Sequence, residues 1–135
     1  MADYSMTPLI KKLGIKPAHS LRFFDAPDHY FDLISPLPPD VEAIEAGDPG
    51  QSDFLHAFAT DPKALKADFS TWKAQMKIDG MLWVSWAKKS SKLATEVDSN
   101  MVRTTGLANG LVDCKVCSVD TDWSAMKFVF RLKDR

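Results

Sequence analysis

Residues 87–92 of the chain read AKKSSK, with three lysines and two serines in six positions. Side chains of these types hold anions: the ammonium groups of Lys88, Lys89 and Lys92 supply charge, and Ser90 and Ser91 supply hydroxyl donors. Helix-start residues follow, Thr95 with Asp98 three positions on, so the amides of a helix beginning near Thr95 would add to the set. A phosphate or carboxylate suits that combination. The competing reading is a hydrated loop, and the glycines that let a P-loop cradle phosphate are missing. FFDAPDHYF, from Phe23 to Phe31, brings Asp25 and Asp28 to a second turn. The candidate ligand-binding residues are therefore Asp25, Asp28, Lys88, Lys89, Ser90, Ser91 and Thr95. No residue is assigned as catalytic and none as a metal ligand.

Other reactive types have plainer explanations. Cys114 and Cys117 form CKVC inside a strand pattern, where residues three apart face opposite sides, so burial is expected in place of a redox or zinc pair. His56 lies in the apolar run FLHAFA and reads as a core histidine with a hydrogen-bond partner. His29 follows Asp28 and reads as a turn residue. Trp72, Trp83 and Trp86 fall on packing positions, whereas Trp123 in DTDWS has no packing role in the pattern and is expected at a contact surface. None of GxSxG, HExxH or an EF-hand loop occurs.

The elements that must position these residues follow from punctuation and period. Thr7, Pro8 and Gly14 bracket a short helix, with Thr7 as its cap and Pro8 in its first position. Leu21–Phe24 is a strand, and Tyr30, Phe31, Leu33 and Ile34 form the apolar side of a brief helix. SPLPPD interrupts both patterns, and residues 41–46 make a weak strand. Phe54–Ala59 is a fully apolar strand of the kind covered on both faces. Asp61 caps a long helix with Pro62 first, Leu65, Phe69, Trp72 and Met76 as its buried stripe, and Gly80 just beyond its end. Its lysines, Lys63, Lys66, Lys73 and Lys77, face solvent. Met81–Trp86 is a second buried strand. A helix then runs to Asn109-Gly110 with Val97, Met101 and Thr105 on one face, and a hairpin turning at DTDW closes the chain.

This order predicts one α/β domain over residues 1–135. The expected architecture is a three-layer sandwich on a mostly parallel, Rossmann-like sheet with a C-terminal antiparallel hairpin. Ligands of such sheets lie beyond the carboxyl ends of the strands at the point where strand order reverses, which places DAPD, ATDP and AKKSSK on one rim.

The stretch KIDGMLWVSW and the hairpin opening GLVDCKVC resemble the C-terminal half of class I S-adenosylmethionine-dependent methyltransferases. Over nearly its full length the chain is also similar to a family of small bacterial domains of unknown function, through TPLIKKLGIKP, LWVSWAKKSSKLATE, NMVR and GLVDCKVCSVDTDWSAMKFVFR. The methyltransferase resemblance implies a truncated form of that fold with S-adenosylmethionine as its cofactor. Three features depart from it. The turn after the first strand has no glycine, and Glu45 alone is placed to act as the acid that holds ribose hydroxyls at the end of the second strand. Between Ala46 and Phe54 there is no length for a further helix and strand.

Composition narrows the function classes. Seventeen basic against eighteen acidic residues give a net charge of −1, which argues against nucleic acid or an anionic membrane as a partner. Two cysteines exclude a disulfide framework, and the N-terminus has no signal-peptide pattern, so a cytoplasmic protein is expected. The reading that results is a non-catalytic, methyltransferase-like module that binds a small anionic ligand or acts in regulation, without a bound cofactor. The alternatives are a degenerate S-adenosylmethionine-dependent methyltransferase, or a domain that binds a protein partner through the TPLIKKLGIK segment or the hairpin.

Overall fold

The computed structural model describes residues 8–45 and 49–135. Helix α1 (Leu9–Leu13) is followed by β1 (Ser20–Phe24), α2 (Tyr30–Leu33), β2 (Glu42–Ala43) and β3 (Ser52–Phe58). Then come α3 (Pro62–Ala74), β4 (Met76–Ala87), α4 (Ser99–Ala108), β5 (Leu111–Ser118), β6 (Trp123–Phe130) and a final 3₁₀ turn, Leu132–Asp134. Thr7 and Ala46, expected to cap the first helix and end the second strand, lie outside the described residues. Pro8 is the residue before α1 and not its first.

Six strands form one sheet in the order β2-β1-β3-β4-β6-β5. β2, β1, β3 and β4 are parallel, and at the far side β6 pairs antiparallel with both β4 and β5. Both faces are covered. Leu65, Phe69 and Trp72 from α3 and Val102 from α4 pack on Leu55, Ala57, Val84 and Phe128. On the opposite face, Leu13 from α1 and Tyr30 from α2 pack on Leu21, Phe54 and Trp83. Trp83 and Trp86 go to opposite faces, as strand alternation requires. The sandwich on a mostly parallel sheet with a C-terminal antiparallel hairpin is thus the observed fold. Among the described residues no helix is long and apolar enough to cross a membrane.

Several local expectations need correction. α3 stops at Ala74, and Gly80 lies inside β4, opposite the register shift between Ser52 and Phe54. A Cβ at Gly80 would lie 2.9 Å from the Ser52 carbonyl oxygen and 3.1 Å from that of Asp53, so the glycine serves close strand approach and does not end a helix. Met76 is buried, but as the first residue of β4. Lys73 and Lys77 are not merely solvated: Lys73 Nζ donates to the Asn109 carbonyl at 2.6 Å, and Lys77 pairs with Asp53 at 3.1 Å.

Helix α4 begins at Ser99, not near Thr95. Asp98 is its N-cap and accepts from Met101 N–H at 2.9 Å, while Thr95 Oγ1 only accepts from Val97 N–H two residues on. Trp123 is 6% exposed and packs edge-on against Phe58, so its position in the turn marks core, not a contact surface. Cys114 is exposed because β5 carries a register shift between Asp113 and Lys115; Cys117 is half-buried, and burial raises its thiol pKa.

Candidate functional site

The strand order places the reversal between β1 and its neighbours. The chain leaves β1, returns to form β2 on one side, and then crosses to form β3 on the other. β2 is only two residues long, paired through Ser20–Glu42 and Leu21–Ala43, with Ile44 N–H donating to the Leu21 carbonyl at 2.7 Å. Beyond that short ladder the carboxyl ends of β1 and β2 border a half-open cavity of about 510 Å³. This volume falls in the range of small-molecule sites.

The cavity is built from three pieces of chain. Phe23 and Arg22 come from β1, Ala43 to Glu45 from the end of β2, and Phe31, Ile34 and Leu37 from α2 and the segment after it. Helix α2 is a single turn, so Tyr30 and Ile34 reach the core while Phe31 remains 44% exposed and turns to the cavity wall. The expectation that Phe31 and Leu33 would be buried is corrected accordingly. Asp25 and Glu45 put two carboxyl groups on an otherwise largely apolar lining. Asp25 has φ 57°, a left-handed conformation that a side-chain-bearing residue adopts at a cost. It makes the sharp turn after β1 without a glycine.

The segment that carries α2 is tied down at two points. Inside, the Tyr30 hydroxyl lies 2.7 Å from His56 Nδ1, and His56 Nε2 lies 2.6 Å from Ser85 Oγ. All three are fully buried, and desolvation lowers the His56 pKa from 6.5 to about 3 and raises that of Tyr30 well above its usual value. His56 is therefore the core histidine its sequence context implies, neutral at any ordinary pH. Outside, His29 Nε2 donates to Asp120 Oδ2 at 2.8 Å, linking the turn before α2 to the β5–β6 turn.

That second turn also receives the basic loop. Lys88 Nζ donates to Ser118 Oγ at 2.7 Å and to the Asp120 carbonyl at 2.6 Å. Ser91 Oγ donates to Asp122 Oδ1 at 2.8 Å. The structure thus gives Lys88 and Ser91 intramolecular partners, leaves Lys89, Ser90 and Thr95 exposed on the same rim, and sets the α4 amides four residues beyond Thr95. Asp28 is exposed in the turn between β1 and α2. Of the seven candidates, Asp25 alone lines the cavity. Glu45, noted in the sequence as the one acid at the second strand's end, stands beside it. Arg22 escaped notice, although a cation inside the apolar stretch SLRFF was the available signal.

Comparison with solved structures identifies the architecture. The chain is similar to the 1,6-didemethyltoxoflavin-N1-methyltransferase of Burkholderia thailandensis, solved with S-adenosylhomocysteine bound. The TM-score is 0.61 at 11% identity, over 94% of this chain and 78% of that one. An S-adenosylmethionine-dependent methyltransferase from Aquifex aeolicus gives 0.58 at 12% identity, over 89% and 86%. The geranyl diphosphate C-methyltransferase of Streptomyces coelicolor, solved with S-adenosylhomocysteine, gives 0.63 at 10% identity, over 91% and 77%. The fold is methyltransferase-like. No protein-family model matches the chain and no curated protein does, so the resemblance to small bacterial domains gains no support there.

Proposed function

We propose that the protein is a degenerate methyltransferase-like domain that binds a ligand of the S-adenosylmethionine class in the cavity at the ends of β1 and β2. The observation that supports this reading is the pair of carboxyl groups, Asp25 and Glu45, on an apolar lining at the carboxyl ends of adjacent parallel strands. Carboxylates accept from hydroxyls and favour a positive ligand, and adenosyl sulfonium compounds offer both. Phe31, Ile34 and Leu37 supply the apolar contact a purine requires. The residues fit the group in charge and lining but not in the backbone cradle. Pro27 has no amide to donate, and the turn after β1 is set by Asp25 in place of a glycine. Binding therefore relies on side chains more than on backbone amides. The neighbours solved with S-adenosylhomocysteine share this fold, which makes the ligand class the natural one to test.

A thermal-shift panel of S-adenosylmethionine, S-adenosylhomocysteine, methylthioadenosine and inorganic phosphate tests the reading. Ligand at a hundred times its Kd adds about 2.7 kcal/mol of stability, a shift of several degrees for a domain of this size. Stabilisation by adenosyl compounds, lost in Glu45→Gln, supports it. Stabilisation by phosphate alone, lost in Lys88→Ala/Lys89→Ala, would instead move the site to the AKKSSK loop.

A further inference from the structure

Lysines from α1, β5 and β6 gather at the end of the strand order remote from the cavity. β5 and β6 pair with Lys115 directly opposite Lys127, and Lys127 is in turn opposite Trp83 of β4. Paired residues share a face, so both lysines stand on the face of Trp83, where Leu13 of α1 packs. Lys12 comes from α1 itself, and Lys115 Nζ donates to its carbonyl at 3.4 Å. Cys117 packs on the same face. Burial pushes its thiol up, and the charges of Lys12 and Lys115 act against that, so both ammonium groups reach the same spot.

Like charges directly opposite one another weaken a strand pair. Lys12 and Lys127 are half-buried, which removes part of the solvent that would screen them. Among the described residues no carboxylate pairs with Lys12, Lys115 or Lys127. Asp113 precedes the register shift, lies opposite Phe128 on the other face, and pairs with Arg103 at 3.1 Å. The contact with the Lys12 carbonyl gives Lys115 a role at the carboxyl end of α1, but it gives none to the ammonium groups of Lys12 and Lys127. A chain of net charge −1 that still holds these cations together, at a cost in stability, is arranged for negative charge from outside. Lysines bind phosphate as point charges. Their convergence from one helix and two adjacent strands suits a compact, multiply charged anion better than an extended acidic peptide.

We propose that Lys12, Lys115 and Lys127 form a binding site for the phosphate group of a small soluble ligand. The site is independent of the adenosyl reading, since β1 and β2 lie at the opposite end of the strand order.

The test uses the full chain with inorganic pyrophosphate as the probe. In calorimetry at low ionic strength the wild type should bind it saturably, and binding should weaken about tenfold or more in Lys12→Gln and in Lys127→Gln. Lys63→Gln, which removes an exposed lysine of α3, should bind as the wild type does. Raising salt from about 0.05 to about 0.5 M should weaken wild-type binding. Thermal unfolding without ligand gives a second readout. Lys127→Gln relieves a like-charge pair, so at low salt it should melt about 1–4 °C above the wild type, whereas loss of a structural lysine would lower the midpoint. Absence of pyrophosphate binding by the wild type, an equal loss in Lys63→Gln, or a lower midpoint in Lys127→Gln would overturn the proposal. Binding of a glutamate-rich peptide in place of pyrophosphate would also overturn it and make the patch a protein contact. None of these results bears on the cavity, and failure of the adenosyl panel would leave this site untouched.

Discussion

His56 sits at the middle of β3 with the Tyr30 hydroxyl at one ring nitrogen and Ser85 Oγ at the other, and burial brings its pKa from 6.5 down to about 3. The folded state thus binds a proton at His56 more weakly than the unfolded chain does. Between pH 6.5 and about 3 the unfolded chain holds that proton and the folded one does not, so stability falls as pH falls across this window. Above pH 6.5 both states are neutral there and the contribution is complete. Each unit costs about 1.4 kcal/mol, which makes the full loss about 5 kcal/mol, comparable with the whole stability of a small domain. Other groups titrate in the same range, so the comparison needs a partner that cannot. His56→Gln removes the titration at the cost of disturbing two buried hydrogen bonds, each worth about 1 kcal/mol or more. Urea unfolding at pH 7.5, 6.5, 5.5 and 4.5 should show the wild type more stable at neutral pH. Its advantage should shrink by about 2 kcal/mol between pH 6.5 and 4.5. Stability curves of wild type and variant that stay parallel across that range would refute the account of His56 as a neutral, fully desolvated imidazole.

Three further outcomes follow from the packing and the caps. Gly106 lies in α4, where glycine to alanine ordinarily gains about 1 kcal/mol. Here the new Cβ would run into the Phe128 ring, 2.7 Å from Cδ1, so Gly106→Ala should destabilise by about 1–3 kcal/mol in chemical denaturation, and Phe128→Leu in the same chain should recover part of it. Asp98→Ala should cost about 1 kcal/mol as the loss of the α4 cap, and Thr95→Ala only a few tenths; the reverse order would restore Thr95 as the helix start. One oxygen of Asp120 accepts from the N–H groups of Asp122 and Trp123, both at 2.8 Å, and the other from His29. Asp120→Ala should therefore cost more than 1 kcal/mol in thermal unfolding and His29→Ala less, since the exposed His29 pair alone is worth little.

The sheet was legible because its strands carry their own signals. FLHAFA and MLWVSW are apolar on both faces, and a strand covered by helices on each side needs that pattern. The terminal hairpin was legible from alternation around DTDW. What failed were boundaries at which two residues offer the same local signal. Thr95 and Asp98 can each cap a helix, and only tertiary packing of the segment chooses Asp98. Gly80 reads as a helix stop, but the carbonyls of Ser52 and Asp53 come from a strand 27 residues earlier in the sequence, invisible to any local pattern. Lys88 and Ser91 meet partners about 30 residues away, a tie between loop and turn that no local pattern could show. The cavity depends on a break in pairing after two residues of β2, together with an α2 of a single turn that leaves Phe31 outside the core. Glu45 and Asp25 could be named from the sequence. Their shared wall could not.

The most direct measurement is calorimetric titration of S-adenosylmethionine into the wild type, Asp25→Asn and Glu45→Gln, variants that keep shape and remove one charge each. Saturable one-to-one binding by the wild type, weakened about tenfold or more in each variant, is the expected result. Binding that is absent from the wild type, or that both substitutions leave unchanged, would contradict a ligand site at the ends of β1 and β2.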